Sequence, residues 1–67
     1  MKRVLTFICD GHRPTDEEIK ECVDIANEGC IVQIKWLVPY NGWHELLVEA
    51  DMTIDDCKRQ IPKTYGI

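Results

Sequence analysis

The sequence predicts an α+β fold: a small single domain of order β-α-β-β-α, with a three-stranded mixed sheet and two helices on one face. Three observations predict it. Strand-like apolar runs mark three segments, helix-spaced apolar residues mark two more, and capping, glycine or proline residues separate them. The chain has 67 residues, 45% of them hydrophobic and 30% charged, so one domain is expected over residues 1–67.

The first strand and the first helix have the clearest local signals. Residues 2–9 form a β-branched and aromatic run that predicts a strand. A helix is predicted over residues 15–28, because Thr15 is a good N-cap and Glu18 can complete a capping box. Gly29 is expected to end this helix. Its apolar stripe is Ile19, Cys22, Val23 and Ala26.

The second half of the chain reads as a hairpin followed by a short helix. Strands are predicted over residues 30–38 and 43–51, joined by a turn at the pair Asn41–Gly42. The second helix opens at an N-cap, Thr53, and ends before Pro62. The residues expected to face the helices are Val32, Ile34, Trp36, Val38, His44, Leu46, Val48 and Ala50. The apolar stripe of the second helix is Ile54, Cys57 and Ile61.

One face of the sheet is expected to lack a helix. A strand–helix–strand connection makes the first two strands parallel, and both helices then cover the same face. The apolar residues predicted on the other face are Ile31, Leu37, Trp43 and Leu47. Strand one adds either Val4, Thr6 and Ile8 or Leu5, Phe7 and Cys9. Polar and apolar residues mixed in this way favour an interface within a homodimer; the alternative is ordinary scattered exposure.

A second candidate surface is an acidic stripe on the first helix. Its members recur at spacings of four, three and four residues: Glu17, Glu21, Asp24 and Glu28. We expect it to bind a protein partner that is basic, including a nucleic-acid-binding protein. A merely solvated helix face is the alternative. The net charge of −4 argues against direct binding of nucleic acid or of an anionic membrane surface.

A third candidate is the edge where the first two strands end. Parallel strands end at the same edge, which is a common place for sites. The cluster predicted there is Asp10, His12, Arg13, Tyr40 and Trp43, with His44 and Cys9 beside it. It could bind a small ligand between the Asp10–Arg13 and Tyr40–His44 loops. A thiol-dependent enzyme using Cys9 and His12 is the weakest alternative, since no catalytic spacing is present; no enzyme is expected.

The cysteine pattern favours reduced thiols over a metal or disulfide framework. The four cysteines are Cys9, Cys22, Cys30 and Cys57, and no two of them form a C-x-x-C pair. No metal and no other cofactor are therefore expected. The sequence shows neither an export signal nor an apolar run of about 18 residues, which predicts a cytoplasmic protein with no membrane association.

These observations together predict a small acidic protein that binds or regulates another protein. Without catalytic equipment it would act by stoichiometric contact, as an inhibitor or adaptor, and as a homodimer. Inhibitors and adaptors encoded by phages and mobile elements are examples of such proteins, a comparison that rests on association alone.

Overall fold

The computed structural model describes residues 3–9, 11–38 and 42–61. Its elements are β1 (Arg3–Cys9), α1 (Asp16–Asn27), β2 (Cys30–Val38), β3 (Gly42–Val48) and α2 (Ile54–Lys58). The strand order is β1-β2-β3, with β1 parallel and β3 antiparallel to β2. The predicted fold class is confirmed. Neither α1 nor α2 is long and apolar enough to cross a bilayer.

Helix α1 begins at the predicted capping box. The Glu18 backbone N–H donates to the Thr15 hydroxyl over 3.2 Å, and the Thr15 backbone N–H donates to Glu18 Oε1 over 2.8 Å. These two bonds satisfy N–H groups that have no partner inside the helix. The helix ends at the C-cap Glu28, and the next residue, Gly29, has a φ of 114°. This backbone conformation favours glycine because other residues have a Cβ that disfavours it.

The core lies between β2, β3 and the two helices. The buried residues of β2 and β3 pack with Ile19, Cys22 and Ala26 of α1 and Cys57 of α2. They are Val32, Ile34, Trp36, Val38, Leu46 and Val48. Trp36, at the centre of the sheet, is 1% exposed. No described residue is a partner for its buried Nε1–H.

The register of β1 decides which of its faces turns toward the helices. Leu5, Phe7 and Cys9 pair with Val32, Ile34 and Trp36, so they share the helix-facing side, and Val4, Thr6 and Ile8 face away. Coverage of β1 is incomplete, because α1 packs over β2 and β3 and α2 over β3. Cys9 is buried, whereas Leu5 remains 43% exposed.

The predicted end of the third strand is wrong. β3 stops at Val48 rather than Asp51, and Ala50 is exposed in a turn instead of facing the helices. Asp51 takes a φ of 68°, and its N–H donates to the Asn27 side chain of α1 over 2.9 Å. The left-handed backbone conformation of Asp51 and its hydrogen bond to Asn27 turn the chain toward α2. An alternating apolar pattern predicts neither feature.

The hairpin between β2 and β3 forms where it was predicted. Val38 pairs with Gly42, which has a φ of 73° and already belongs to β3. The strand therefore begins one residue earlier than expected. Residues 39–41 lie outside the described residues.

Replacing Gly29 by alanine should lower the free energy of unfolding by about 1–2 kcal/mol, the cost of a Cβ in a left-handed conformation. A Cβ built at Gly29 meets no atom within 4 Å, so backbone strain alone causes the loss. Urea denaturation would measure it. The control, Glu28→Ala at the preceding exposed residue, should change stability by less than about 0.5 kcal/mol. Equal losses in both variants would contradict the strain argument.

Candidate interaction surface

The sheet face away from the helices, here called the open face, carries most of the exposed apolar surface. Five of the six large apolar side chains exposed in the described part of the chain lie on it. They are Val4 (62% exposed), Ile8 (57%), Trp43 (55%), Leu37 (51%) and Leu47 (40%). Ile31, the other predicted interface residue, lies beside Val4 in register and is half-buried. Several large apolar side chains exposed on one face are typical of a binding surface.

Polar side chains interrupt the apolar residues of the open face. The Gln33 side-chain amide donates to Glu45 Oε2 over 2.6 Å. Lys35 lies opposite Glu45 in register and is half-buried. Mixed surfaces of this composition are usual in interfaces between proteins that are also stable as separate molecules in water.

The free edge of β3 is closed at Leu47 by a side chain from beyond α2. The Gln60 amide accepts the Leu47 backbone N–H over 2.9 Å and donates to its carbonyl oxygen over 2.8 Å. A side-chain amide thus replaces a neighbouring strand at this residue, which limits pairing along the edge. Sequence reasoning missed this role, because a glutamine 13 residues away gives no local signal.

The acidic stripe is fully solvent-facing. Glu17, Glu21, Asp24 and Glu28 are all exposed, while the opposite side of α1 packs on the sheet. Within the described residues, none of the four carboxylates has a lysine, arginine or histidine nitrogen within 4.0 Å. The stripe therefore presents uncompensated negative charge on the side of the molecule opposite the open face.

The predicted loop-edge cluster is only partly described. Asp10 and Tyr40 lie outside the described residues. Trp43 belongs to the open face, in register with Leu37. His12 is exposed, and its Nδ1 donates to the Arg13 carbonyl oxygen over 2.7 Å and lies 3.8 Å from Glu18 Oε1. His12 thus contacts residues at the start of α1.

His44, which was expected beside the cluster, is half-buried on the helix-facing side of β3. Its ring packs against Trp36, with ring centroids 5.8 Å apart and planes tilted by 54°. This packing gives His44 a structural role as part of the sheet's covered face.

The cysteines divide into two groups. None of the four forms a disulfide within the described residues; Cys30 is half-buried and the other three are buried. Burial raises the pKa of the Cys22 thiol to about 11 and also raises the pKa of Cys57. Both thiols therefore stay protonated near neutral pH and act as small apolar residues. Cys9 differs, because its Sγ donates to Glu18 Oε2 over 3.7 Å.

An open groove of about 520 Å³ lies between the start of α1 and the end of α2. Arg13 and Lys58 line it beside the apolar side chains of Ile19 and Ile61. Lys58 forms an ion pair with Asp16 over 3.0 Å, which joins the two helices across the groove. The groove could hold a small anionic ligand, and among the predicted cluster residues it includes Arg13.

The geometry defines a small α+β domain with one open sheet face and an outward acidic helix. Comparison with protein families, curated proteins and solved structures finds no match for the chain.

Replacing Glu18 by glutamine should reduce the loss of stability in acid. The pKa of the Glu18 carboxyl lies below its ordinary 4.5, chiefly because the Thr15 backbone N–H donates to it, although partial burial opposes this. A lowered pKa gives stability that is complete above the unfolded value and is lost as pH falls through the folded value. Urea denaturation at about pH 6 and about pH 3 measures this loss. Glu17→Gln, which leaves the capping bonds intact, should behave like wild type; an equal acid loss in Glu18→Gln would contradict the prediction.

Proposed function

We propose that this chain is a small protein-binding or regulatory protein that acts by stoichiometric contact and works as a homodimer. The observation that supports it is the open face, where five large apolar side chains are 40–62% exposed. A water-exposed face of this composition is costly for a monomer, and covering it would stabilise a domain too small to build a large core. The free cysteines suit the reducing cytoplasm, where we place the protein.

A second copy is the occupant that suits the open face best. Three strands about 4.8 Å apart and seven residues long give a patch of roughly 14 by 23 Å. Two such patches would stack as sheets about 10 Å apart, as in a β-sandwich. Gln33 and Lys35 lie at the middle of the face with Glu45 opposite Lys35, and the apolar side chains surround them. In a two-fold dimer Glu45 and Lys35 would meet charges of both signs on the partner. This patch of about 320 Å² per copy is smaller than a standard interface, so we expect a weak dimer that forms only at high micromolar concentration.

The acidic stripe would then contact the regulated partner. It lies on the far side of the helices from the open face, so dimerisation leaves it accessible. Four unpaired carboxylates along one helix face favour a partner with a basic surface, such as a nucleic-acid-binding protein.

The groove beside Arg13 supports a second candidate function, the binding of a small anionic ligand. Arg13, together with Lys58 that is shared with Asp16, and the apolar side chains of the groove provide the complementary chemistry. A ligand in this groove should raise the melting temperature of the wild-type chain and not that of Arg13→Ala.

Leu47→Glu and Leu37→Glu should each convert the dimer to monomer, because each buries an unpaired charge in the interface. Size-exclusion chromatography with light scattering at high micromolar concentration measures the state. Leu5→Glu is the matched control: Leu5 is 43% exposed, close to the 40% of Leu47, but lies on the other face of the sheet. This variant should remain a dimer.

Two results would contradict an open-face dimer. One is a wild-type chain that stays monomeric at high micromolar concentration. The other is a dimer that survives Leu47→Glu and is lost in Leu5→Glu, which would place the interface on β1. Circular dichroism of each variant separates loss of the dimer from loss of the fold.

Reversal of the acidic stripe should abolish binding of the basic partner. The variant replaces Glu17, Glu21, Asp24 and Glu28 with lysine, and affinity capture from a lysate, quantified against wild type, measures the loss. The control reverses three exposed acids outside both surfaces, Glu49, Asp51 and Asp55, and is compared with a stripe variant in which only Glu17, Glu21 and Asp24 are reversed, so that the change in net charge is equal. A partner bound through the stripe is lost from the stripe variants alone and is released by salt. Equal loss from the control would indicate a nonspecific charge effect.

A further inference from the structure

We propose that Cys9, His12 and Glu18 form a zinc-binding site at the junction of β1 and α1. One potential ligand atom from each side chain lies within 4.8 Å of the other two. Ligand atoms around a tetrahedral zinc ion are about 3.3–3.6 Å apart, as follows from bond lengths of about 2.0–2.3 Å. The distance from Cys9 Sγ to Glu18 Oε2 is 3.7 Å, close to this value. His12 Nδ1 lies 3.8 Å from Glu18 Oε1, and rotation of the exposed ring would bring its Nε2 to the ion.

The two carboxylate oxygens of Glu18 have separate partners, an arrangement that would allow Glu18 to bind a metal. Oε1 accepts the Thr15 backbone N–H over 2.8 Å, which fixes the carboxylate at the start of α1. Oε2 faces the Cys9 thiol. Carboxylates that bind a metal are commonly held by hydrogen bonds of this kind.

The hydrogen bond of His12 decides which of its ring nitrogens can bind a metal. Its Nδ1 donates to the Arg13 carbonyl oxygen over 2.7 Å, so the lone pair of the neutral ring is on Nε2. A backbone carbonyl that holds one ring nitrogen leaves the other available to a metal. The exposed side of the site leaves room for water as a fourth ligand.

The chemistry of the three donors selects zinc over other common cations. A thiolate, an imidazole and a carboxylate suit Zn²⁺, whereas Mg²⁺ and Ca²⁺ prefer oxygen ligands alone. On binding, the Sγ–H proton of Cys9 is released to solvent and the thiolate sulfur binds the ion. Affinity should therefore increase with pH.

The site would stabilise the least covered part of the sheet. Neither helix packs along β1, and Cys9 is its one fully buried residue. A metal bound by Cys9, His12 and Glu18 would fix the end of β1 to the first turn of α1. The absence of a C-x-x-C pair does not exclude zinc, because a cysteine and a histidine can form the close pair of ligands. Cys9 and His12 have C-x-x-H spacing.

Titration with Co²⁺, a spectroscopic substitute for zinc, tests the site in the full chain. A thiolate-to-cobalt charge-transfer band should grow to one equivalent, and Zn²⁺ should displace it. His12→Ala should weaken binding by more than about 100-fold, since loss of even an outer-shell partner costs 10–100-fold. Zn²⁺ should raise the melting temperature of wild type and not of this variant.

Matched variants keep the test decisive even if replacement of the buried Cys9 impairs folding. Glu18→Gln should weaken binding and Glu17→Gln should not; His12→Ala should weaken it and His44→Ala should not. The absence of a thiolate–cobalt band in wild type would overturn the proposal. So would a band that persists in both His12→Ala and Glu18→Gln, because other cysteines would then hold the metal.

Discussion

The crossover through α1 is the constraint on which the rest of this structure depends. Because α1 connects β1 to β2, the two strands run parallel and both helices lie on one side of the sheet. One-sided coverage leaves the open face in water and turns the acidic stripe to the opposite side. The same crossover brings the end of β1 to the start of α1, where Cys9 meets Glu18.

The crossover also explains why β1 is the least covered strand of the sheet. A single 12-residue helix covers β2 and part of β3, and too little helix remains to cover β1 as well. The two proposals act on this strand at different places. A second copy on the open face would cover Val4 and Ile8, whereas a metal would fix the other side of the strand at Cys9. Dimerisation and metal binding could thus both add stability to a domain whose core is small.

Local signals predicted most of the fold, and long-range contacts account for the differences. The capping box of Thr15 and the alternation in β2 act over a few residues and were read correctly. The end of β3 depends on a bond from Asp51 to Asn27, 24 residues away. For the candidate site, the open face followed from alternation, but the covered side of β1 required its register, and the contact between His12 and Glu18 required the folded crossover.

On the proposed dimer, the positions of the two surfaces would suit an adaptor better than a simple inhibitor. If two open faces stack about a two-fold axis, each acidic stripe lies on an outer side of the dimer, and the two stripes face in opposite directions. A monomeric target would then gain nothing from the second stripe. Two basic partners, or one partner with a repeated basic surface, would gain effective concentration from both stripes. The second stripe of the dimer would therefore increase binding only when the target is itself paired or repetitive. An adaptor that links two copies of its partner would meet this condition.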